Sequence, residues 1–381
     1  MVRVLNITNV LQAAGIESFI MNMYRNIDRD KVQFDFMVMR DQPEYYDAEI
    51  KGLGGKKYTV TVKENNQLIK VLKESRQLYR FLRKHPYKII HIHYTTPLKA
   101  FYLLAAKQAG VPVRIYHSHS AAVSGKSALK LKIYAYCRRG IGKWGTHYWA
   151  CSKAAAEWIF SGKALAESIV IPNGIDTKRF AFDEEKRDAV RKELGLADEF
   201  VIVNTGRFLE QKNHRFIIDV FSEFIKKKKG KLLLMGTGPL EDEIKEYAVK
   251  KGVRGQVMFL GVRSDVDSVL SAADCYIMPS LYEGLPVAAV EAQASGLPCI
   301  LSDAITKEIK LRDNVTFLSL NEPVDKWVSA ILKVKANDRL SGQKDVADGG
   351  YDIRQCAADL QSRYEKMAKR GKYDRHKRKT E

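Results

Sequence analysis

Two glutamates, Glu283 and Glu291, stand eight residues apart around Gly284-Leu285-Pro286. Pro286 suits the first position of a helix and Gly296 the residue just past an end, so the spacing predicts a helix from Pro286 to Ser295. Glu283 and Gly284 then fall in the loop before its N-terminus. Free amides and the positive end of the helix dipole there would hold a phosphate, and Gly284 lets the backbone approach closely. Glu291 falls inside an otherwise apolar helix, where a carboxylate without a hydrogen-bonding partner is costly. A ribose diol is a fitting partner, and chance is the weaker account of the pair.

Other candidates follow apolar runs. Arg207 and Lys212 lie in Gly206-Arg207-Phe208-Leu209-Glu210-Gln211-Lys212-Asn213, after a strand. Two cations on one such loop would neutralise a diphosphate leaving group without a metal; solvated loop charges are the alternative reading. Gly236-Thr237-Gly238-Pro239 makes a glycine-rich strand-to-helix turn that suits a nucleotide, although tight closure alone would also use it. Gly15, in Ala13-Ala14-Gly15-Ile16-Glu17, offers a weaker amide-rich turn after the first strand. His117-Ser118-His119 ends another strand, and either histidine could donate to a sugar hydroxyl or line a reacting centre. His91 and His93 alternate along an apolar strand and read as core residues. Asp28-x-Asp30 and Asp265-x-Asp267 have a spacing used for divalent ions. The first sits in a polar turn and the second reads as first-turn acids of a helix begun by Ser264, so no metal site is expected.

The elements that must position these residues alternate short β-branched runs with helical stretches, the pattern of parallel sheets with crossover helices. In the first half the expected strands are Val2 to Ile7, Gln33 to Val38, Tyr58 to Thr61, Ile89 to Tyr94, Val113 to His117, Tyr148 to Cys151 and Ser168 to Ile171. The rhythm restarts with Phe200 to Thr205, Lys231 to Met235, Val257 to Leu260, Cys275 to Met278 and Cys299 to Ser302. Between the halves Pro172-Asn173-Gly174-Ile175-Asp176 punctuates a turn. The expected domains are therefore 1–172 and 173–368, followed by a basic, disordered tail 369–381. Two open α/β sheets facing each other would bring the carboxyl ends of their strands to one cleft.

The chain of 381 residues carries a formal charge of +19, and its distribution is uneven. Residues 1–172 are net +15, residues 173–368 net −1, and the tail net +5. The basic residues concentrate in Lys56 to Lys88 and in Ser124 to Lys143, the latter interleaved with Leu129, Ile133, Tyr134 and Tyr136. Such a field suits an anionic partner, a lipid surface or a phosphorylated acceptor; a solvated helix face is the plainer reading of either segment alone. No nucleic-acid recognition motif accompanies it, so nucleic acid stays a minor alternative. Five scattered cysteines without a Cys-x-x-Cys pair read as free thiols of a reducing cytosol. With no signal-peptide pattern and no long uncharged apolar stretch, neither secretion nor membrane spanning is expected.

Taken jointly, Glu283-x7-Glu291 with Gly284-Leu285-Pro286, the Gly206-Arg207 to Lys212 loop, Gly236-Thr237-Gly238-Pro239, Pro172-Asn173-Gly174-Ile175-Asp176, His117 and Ser302-Asp303 resemble glycosyltransferase family 4. The resemblance runs through nearly the whole chain. It implies the GT-B fold, two Rossmann-like parallel-sheet domains facing across a cleft, and a retaining hexosyltransferase that needs neither metal nor cofactor. By this resemblance Arg207 and Lys212 stabilise the donor diphosphate, Glu283 and the Gly284-Leu285 amides hold sugar and phosphate, Glu291 binds the ribose, and His117 lines the reaction centre. Members usually carry two glycines in the first turn, where this chain has Ala14 before Gly15. The members it most resembles build bacterial capsule and exopolysaccharide. They imply a nucleotide-diphosphate sugar donor, UDP-linked, a lipid-linked saccharide acceptor, and a cytoplasmic enzyme peripheral to the inner face of the cell membrane. A nucleotide-sugar epimerase of the same architecture, or a basic binding module for nucleic acid or anionic lipid, are the competing readings.

Overall fold

The computed structural model describes residues 1–12, 15–119, 128–334 and 339–377. Among them the chain forms two compact units, Met1–Gly174 with the final segment from Ile353 onward, and Ile175–Asp352. In the first unit, strands β1 (Val2–Ile7), β2 (Val32–Val38), β3 (Lys57–Thr59), β4 (Ile89–Tyr94), β5 (Val113–Ser118), β6 (His147–Ala150) and β7 (Ile169–Val170) form one parallel sheet. Its order is β3-β2-β1-β4-β5-β6-β7. Every residue of β2 and β4 is buried, as expected for strands with helices on both faces. The second unit has β8 (Phe200–Thr205), β9 (Gly230–Met235), β10 (Val257–Gly261), β11 (Cys275–Met278), β12 (Cys299–Ser302) and β13 (Val315–Leu318), in the order β10-β9-β8-β11-β12-β13. Both sheets therefore reverse direction of strand addition between their first and fourth strands, the point where open α/β sheets bind ligands at the carboxyl edge.

Two expectations need correction. The last helix, Ile353–Lys377, belongs to the first unit, so residues 353–368 do not extend the second domain. Its buried residues Ile353, Cys356, Ala357, Leu360, Tyr364, Met367 and Ala368 recur at helical spacing and join the same core as Val4, Phe34, Ile115 and Trp149. Burying such a stripe, at roughly 1.5–3 kcal/mol for each large side chain, outweighs proximity in sequence. The same helix continues to Lys377, so the stretch 369–377 is helical backbone where a disordered tail was expected; residues 378–381 lie outside the described residues.

The chain crosses between units at Gly174 and again before Ile353. A side chain at Gly174 would meet Cys356 Sγ and the Ile353 Cα, both 2.9 Å from an added Cβ, so only glycine lets the final helix pass this close. Strand β13 was not anticipated. Its four residues pair with β12 from Cys299↔Val315 to Ser302↔Leu318, an edge position too short for alternation to show in the sequence. The five cysteines are buried and form no disulfide among the described residues, and no helix among these residues is long and apolar enough to cross a membrane.

Candidate active site

In the second unit the site is built on β8 and β11, adjacent strands at the switch point. The loop after β8 carries Arg207 and Lys212; the loop after β11 carries Glu283. They meet directly. Lys212 Nζ lies 2.6 Å from Glu283 Oε1, with side chains only 17% and 9% exposed. Gln211 Nε2 donates to the Glu283 carboxylate (3.2 Å) and to the Tyr282 carbonyl (2.8 Å), and the Leu281 amide donates to the Gln211 carbonyl (2.9 Å). Asn213 holds the first loop's far end, with φ of 55° and its amide donating to the Pro279 carbonyl at 3.2 Å. Both loops are thus tied into one rigid ledge. Arg207, by contrast, is exposed, and its guanidinium makes no ion pair or hydrogen bond with any described residue. It is a solvated cation with no charged or hydrogen-bonding partner among the described residues, available to an incoming anion.

The third turn packs behind the first. Gly236 has φ of 127°, and a Cβ there would lie 2.2 Å from the Gly206 carbonyl; one at Gly238 would lie 2.6 Å from the Phe208 carbonyl. Both glycines are therefore required by close backbone approach between the loops after β8 and β9. The Phe208 amide donates to the Thr237 carbonyl at 3.1 Å, which joins them further.

The helix after Glu283 runs Val287–Ala294, with Pro286 at its N-cap instead of its first turn and Gly296, at φ of 71°, past its end. Leu285 is buried just before it and Gly284 half-buried. Glu291 is half-buried on this helix, and its carboxylate has no hydrogen-bond partner among the described residues. Burial pushes its pKa up to about 7, against the opposing pull of Arg179. An unpartnered carboxylate on an apolar helix remains the feature that most needs a ligand.

Elsewhere three of the four aspartates of the Asp-x-Asp pairs are held by cations. Asp267 bridges Arg179 and Lys186, Asp265 pairs with Arg263, and Asp28 with Lys31. The helix near the second pair begins at Val266 with Asp265 as N-cap, one residue later than Ser264 suggested.

In the first unit Gly15 opens the helix Gly15–Asn26, with open space where a Cβ would stand; Ala13 and Ala14 lie outside the described residues, as does Lys126 of the basic stretch. His117 is fully buried and His119 half-buried. Burial holds His117 well below the ordinary histidine range and His119 down to about 3, so both are neutral. His91 and His93, read as core from the sequence, are buried and also bonded to them: His91 Nε2 is 3.1 Å from His117 Nδ1, and His93 Nδ1 is 3.0 Å from His119 Nε2. The available signal was the repeat of His-x-His on two strands, which the register His93↔His117 sets side by side. Sequence reading also missed Gln211, and Glu17, whose buried carboxyl accepts from Thr8 at the end of β1 (3.1 Å) and is pushed up by burial. A cavity of about 640 Å³ lined by Thr146, Trp149, Ile169, Arg363 and Lys366 lies at the amino ends of β6 and β7, away from these loops.

Two parallel α/β sheets of this strand order are the architecture of GT-B proteins, and comparisons with known proteins identify the class as GT-B glycosyltransferase. The model "Glycosyltransferase Family 4" matches residues 13–179 and the model "Glycosyl transferases group 1" residues 186–346, and the chain belongs to glycosyltransferase family 4. It is 36% identical to the putative glycosyltransferase EpsF of Bacillus subtilis, over 95% of this chain and 96% of that protein. It is 26% identical to an Escherichia coli UDP-Gal:alpha-D-GlcNAc-diphosphoundecaprenol alpha-1,3-galactosyltransferase, over 84% of each. Among solved structures, Anabaena HepE in complex with UDP superposes with a TM-score of 0.77 at 17% identity, covering 94% of this chain and 98% of that one.

Proposed function

We propose that the protein is a retaining, metal-independent hexosyltransferase that moves a sugar from UDP to a lipid-diphosphate-linked saccharide in capsule or exopolysaccharide assembly. The observation that carries this reading is the ledge formed by Lys212 and Glu283 beside the unpaired Arg207, at the switch point of the second sheet. Support for the donor comes from HepE, solved with UDP, and support for the acceptor from the relative whose name specifies a diphosphoundecaprenol-linked sugar.

Breaking the bond between sugar and diphosphate builds negative charge on the phosphate and positive charge on the anomeric carbon. Preorganised cations favour that charge distribution over the ground state, and this is where Arg207 and Lys212 act. Glu283 orients the Lys212 ammonium, and with Gly284 and Leu285 holds the sugar and phosphate. Glu291 accepts from the ribose hydroxyls. Gly236 and Gly238 shape the turn beside the nucleotide, Gly15 supplies an amide near the donor, and His117 lines the reaction centre. The departing phosphate takes the acceptor proton on the same face, so the configuration is retained without a protein nucleophile. The basic first domain brings the enzyme to the anionic inner face of the cell membrane.

The test is transfer from a panel of UDP-sugars to a lipid-diphosphate-linked saccharide, with and without chelator, the anomeric configuration of the product being read by NMR. An α-linked product formed equally well in chelator is expected. An inverted product, loss of activity in chelator, or epimerised sugar from donor alone would each replace the reading.

A further inference from the structure

His117 has a task in the proposed reaction, whereas His91 and Tyr364 have none. Yet the three form a chain inside the first unit: Tyr364 Oη lies 2.6 Å from His91 Nδ1, and His91 Nε2 lies 3.1 Å from His117 Nδ1. All three residues are fully buried. The chain's far end, His117 Nε2, has no hydrogen-bond partner among the described residues.

Neutral rings in a row allow two proton arrangements. In one, the phenol donates to His91 Nδ1, His91 Nε2–H donates to His117 Nδ1, and His117 ends as an Nε2–H donor. In the other every proton is reversed, and the Tyr364 hydroxyl must accept while its own proton finds no acceptor among the described residues. Three considerations favour the first. A phenol is the better donor and an imidazole nitrogen the better acceptor, which fits the short 2.6 Å contact. Both histidines take the Nε2–H form, the intrinsically preferred tautomer of a neutral imidazole. The leftover donor is moved from a closed core beside Phe34 and Trp149 to the carboxyl end of β5, where sheets of this order meet ligands.

We propose that Tyr364, acting through His91, is a positioning residue that fixes His117 as the Nε2–H tautomer, so that its orphaned nitrogen donates one hydrogen bond to a ligand oxygen. Only the last clause rests on the transferase reading. A metal held by His91, His93 and His117, whose ligand atoms lie within 4.8 Å of one another, fits less well. Every nitrogen of the three except His117 Nε2 is already bonded, His93 Nε2 to Asn6 Oδ1 at 3.1 Å.

The experiment uses the full chain with 15N-labelled histidine, and two-bond proton–nitrogen spectra report which ring nitrogen is protonated; His117→Gln assigns the signal. We expect Nε2–H at His117 in the wild type and a shift toward Nδ1–H in Tyr364→Phe, which keeps the packed ring. Transfer kcat/KM should fall about tenfold in Tyr364→Phe, the loss of one hydrogen bond's worth of preorganisation. The same change in a His117→Gln background should cost nothing further, because a carboxamide keeps its donor whatever the tyrosine does. Nδ1–H in the wild type, an unchanged His117 signal in Tyr364→Phe, or equal losses in both backgrounds would overturn the proposal. So would one equivalent of zinc shifting all three histidines together. The wild-type spectrum decides the chain's direction even where a variant fails to fold. If no nucleotide sugar supports transfer, the transferase reading falls while the tautomer measurement still decides the chain.

Discussion

Arg207 and Lys212 sit on one loop but carry different structural obligations. Arg207 is exposed and unpaired among the described residues, so Arg207→Ala should lose about 100-fold in turnover, near 3 kcal/mol of transition-state stabilisation, with the melting temperature unchanged. Lys212→Ala should lose turnover and stability together, because it strands the Glu283 carboxylate, 9% exposed, beside Gln211. Equal melting temperatures for the two variants would contradict this contrast. Glu291 makes a prediction of the opposite kind. Its folded pKa, about 7, stands above the ordinary 4.5, so the folded state binds the extra proton and ligand-free stability falls as pH rises from 4.5 through 7. Glu291→Gln should therefore raise the ligand-free melting temperature more at pH 8 than at pH 5 while weakening UDP binding. A pH-independent change, or unaltered UDP affinity, would remove the ribose assignment.

Elements decide what residues cannot. The final helix returns to the first sheet because its apolar stripe finds a core there, and Leu360, 2% exposed, lies in the middle of that stripe. Leu360→Ala should cost about 2–5 kcal/mol by chemical denaturation and act on the first unit, which site-specific fluorescence would distinguish. Strands β4 and β5 bring four neutral histidines together, each held below the ordinary value of 6.5 chiefly by burial. The unfolded chain binds more protons there, so this stability is fully present above pH 6.5 and is lost as pH falls toward the folded values. Each histidine contributes a slope of up to about 1.4 kcal/mol per pH unit. Calorimetry between pH 6.5 and 4 should detect the proton uptake on unfolding, and its absence would mean that the cluster is charged when folded. The turn at Gly236 is an element-level constraint as well: its φ and the Gly206 carbonyl leave no room for the methyl of Gly236→Ala.

For the whole molecule, the charge asymmetry and the sheet pair lead to one binding experiment each. UDP at 100 times its Kd should stabilise the protein by about 2.7 kcal/mol, and no melting shift with any nucleotide would count against the donor reading. Vesicles rich in anionic lipid should bind at low salt and release at high salt, since the +15 of residues 1–172 acts over a Debye length. Both sheets were legible in advance because β1, β4, β8, β11 and β12 are apolar runs bounded by turn residues, and their expected ends match the observed ones. The loops with Arg207, Gly236 and Glu283 were legible for a related reason: glycine, proline and charge placed just past a strand mark its carboxyl edge.

What the sequence determined by itself was local, namely element type, the charge of each half, and the residue types available at each strand end, because these follow from periodicity and backbone chemistry over a few residues. Only the tertiary structure decided that Lys212 grips Glu283, that the last helix abandons the second unit for the first, and that Tyr364 reaches His91 across 273 positions of chain. Such pairings depend on which surfaces bury the most apolar area together, a balance struck over the whole fold that no single segment contains.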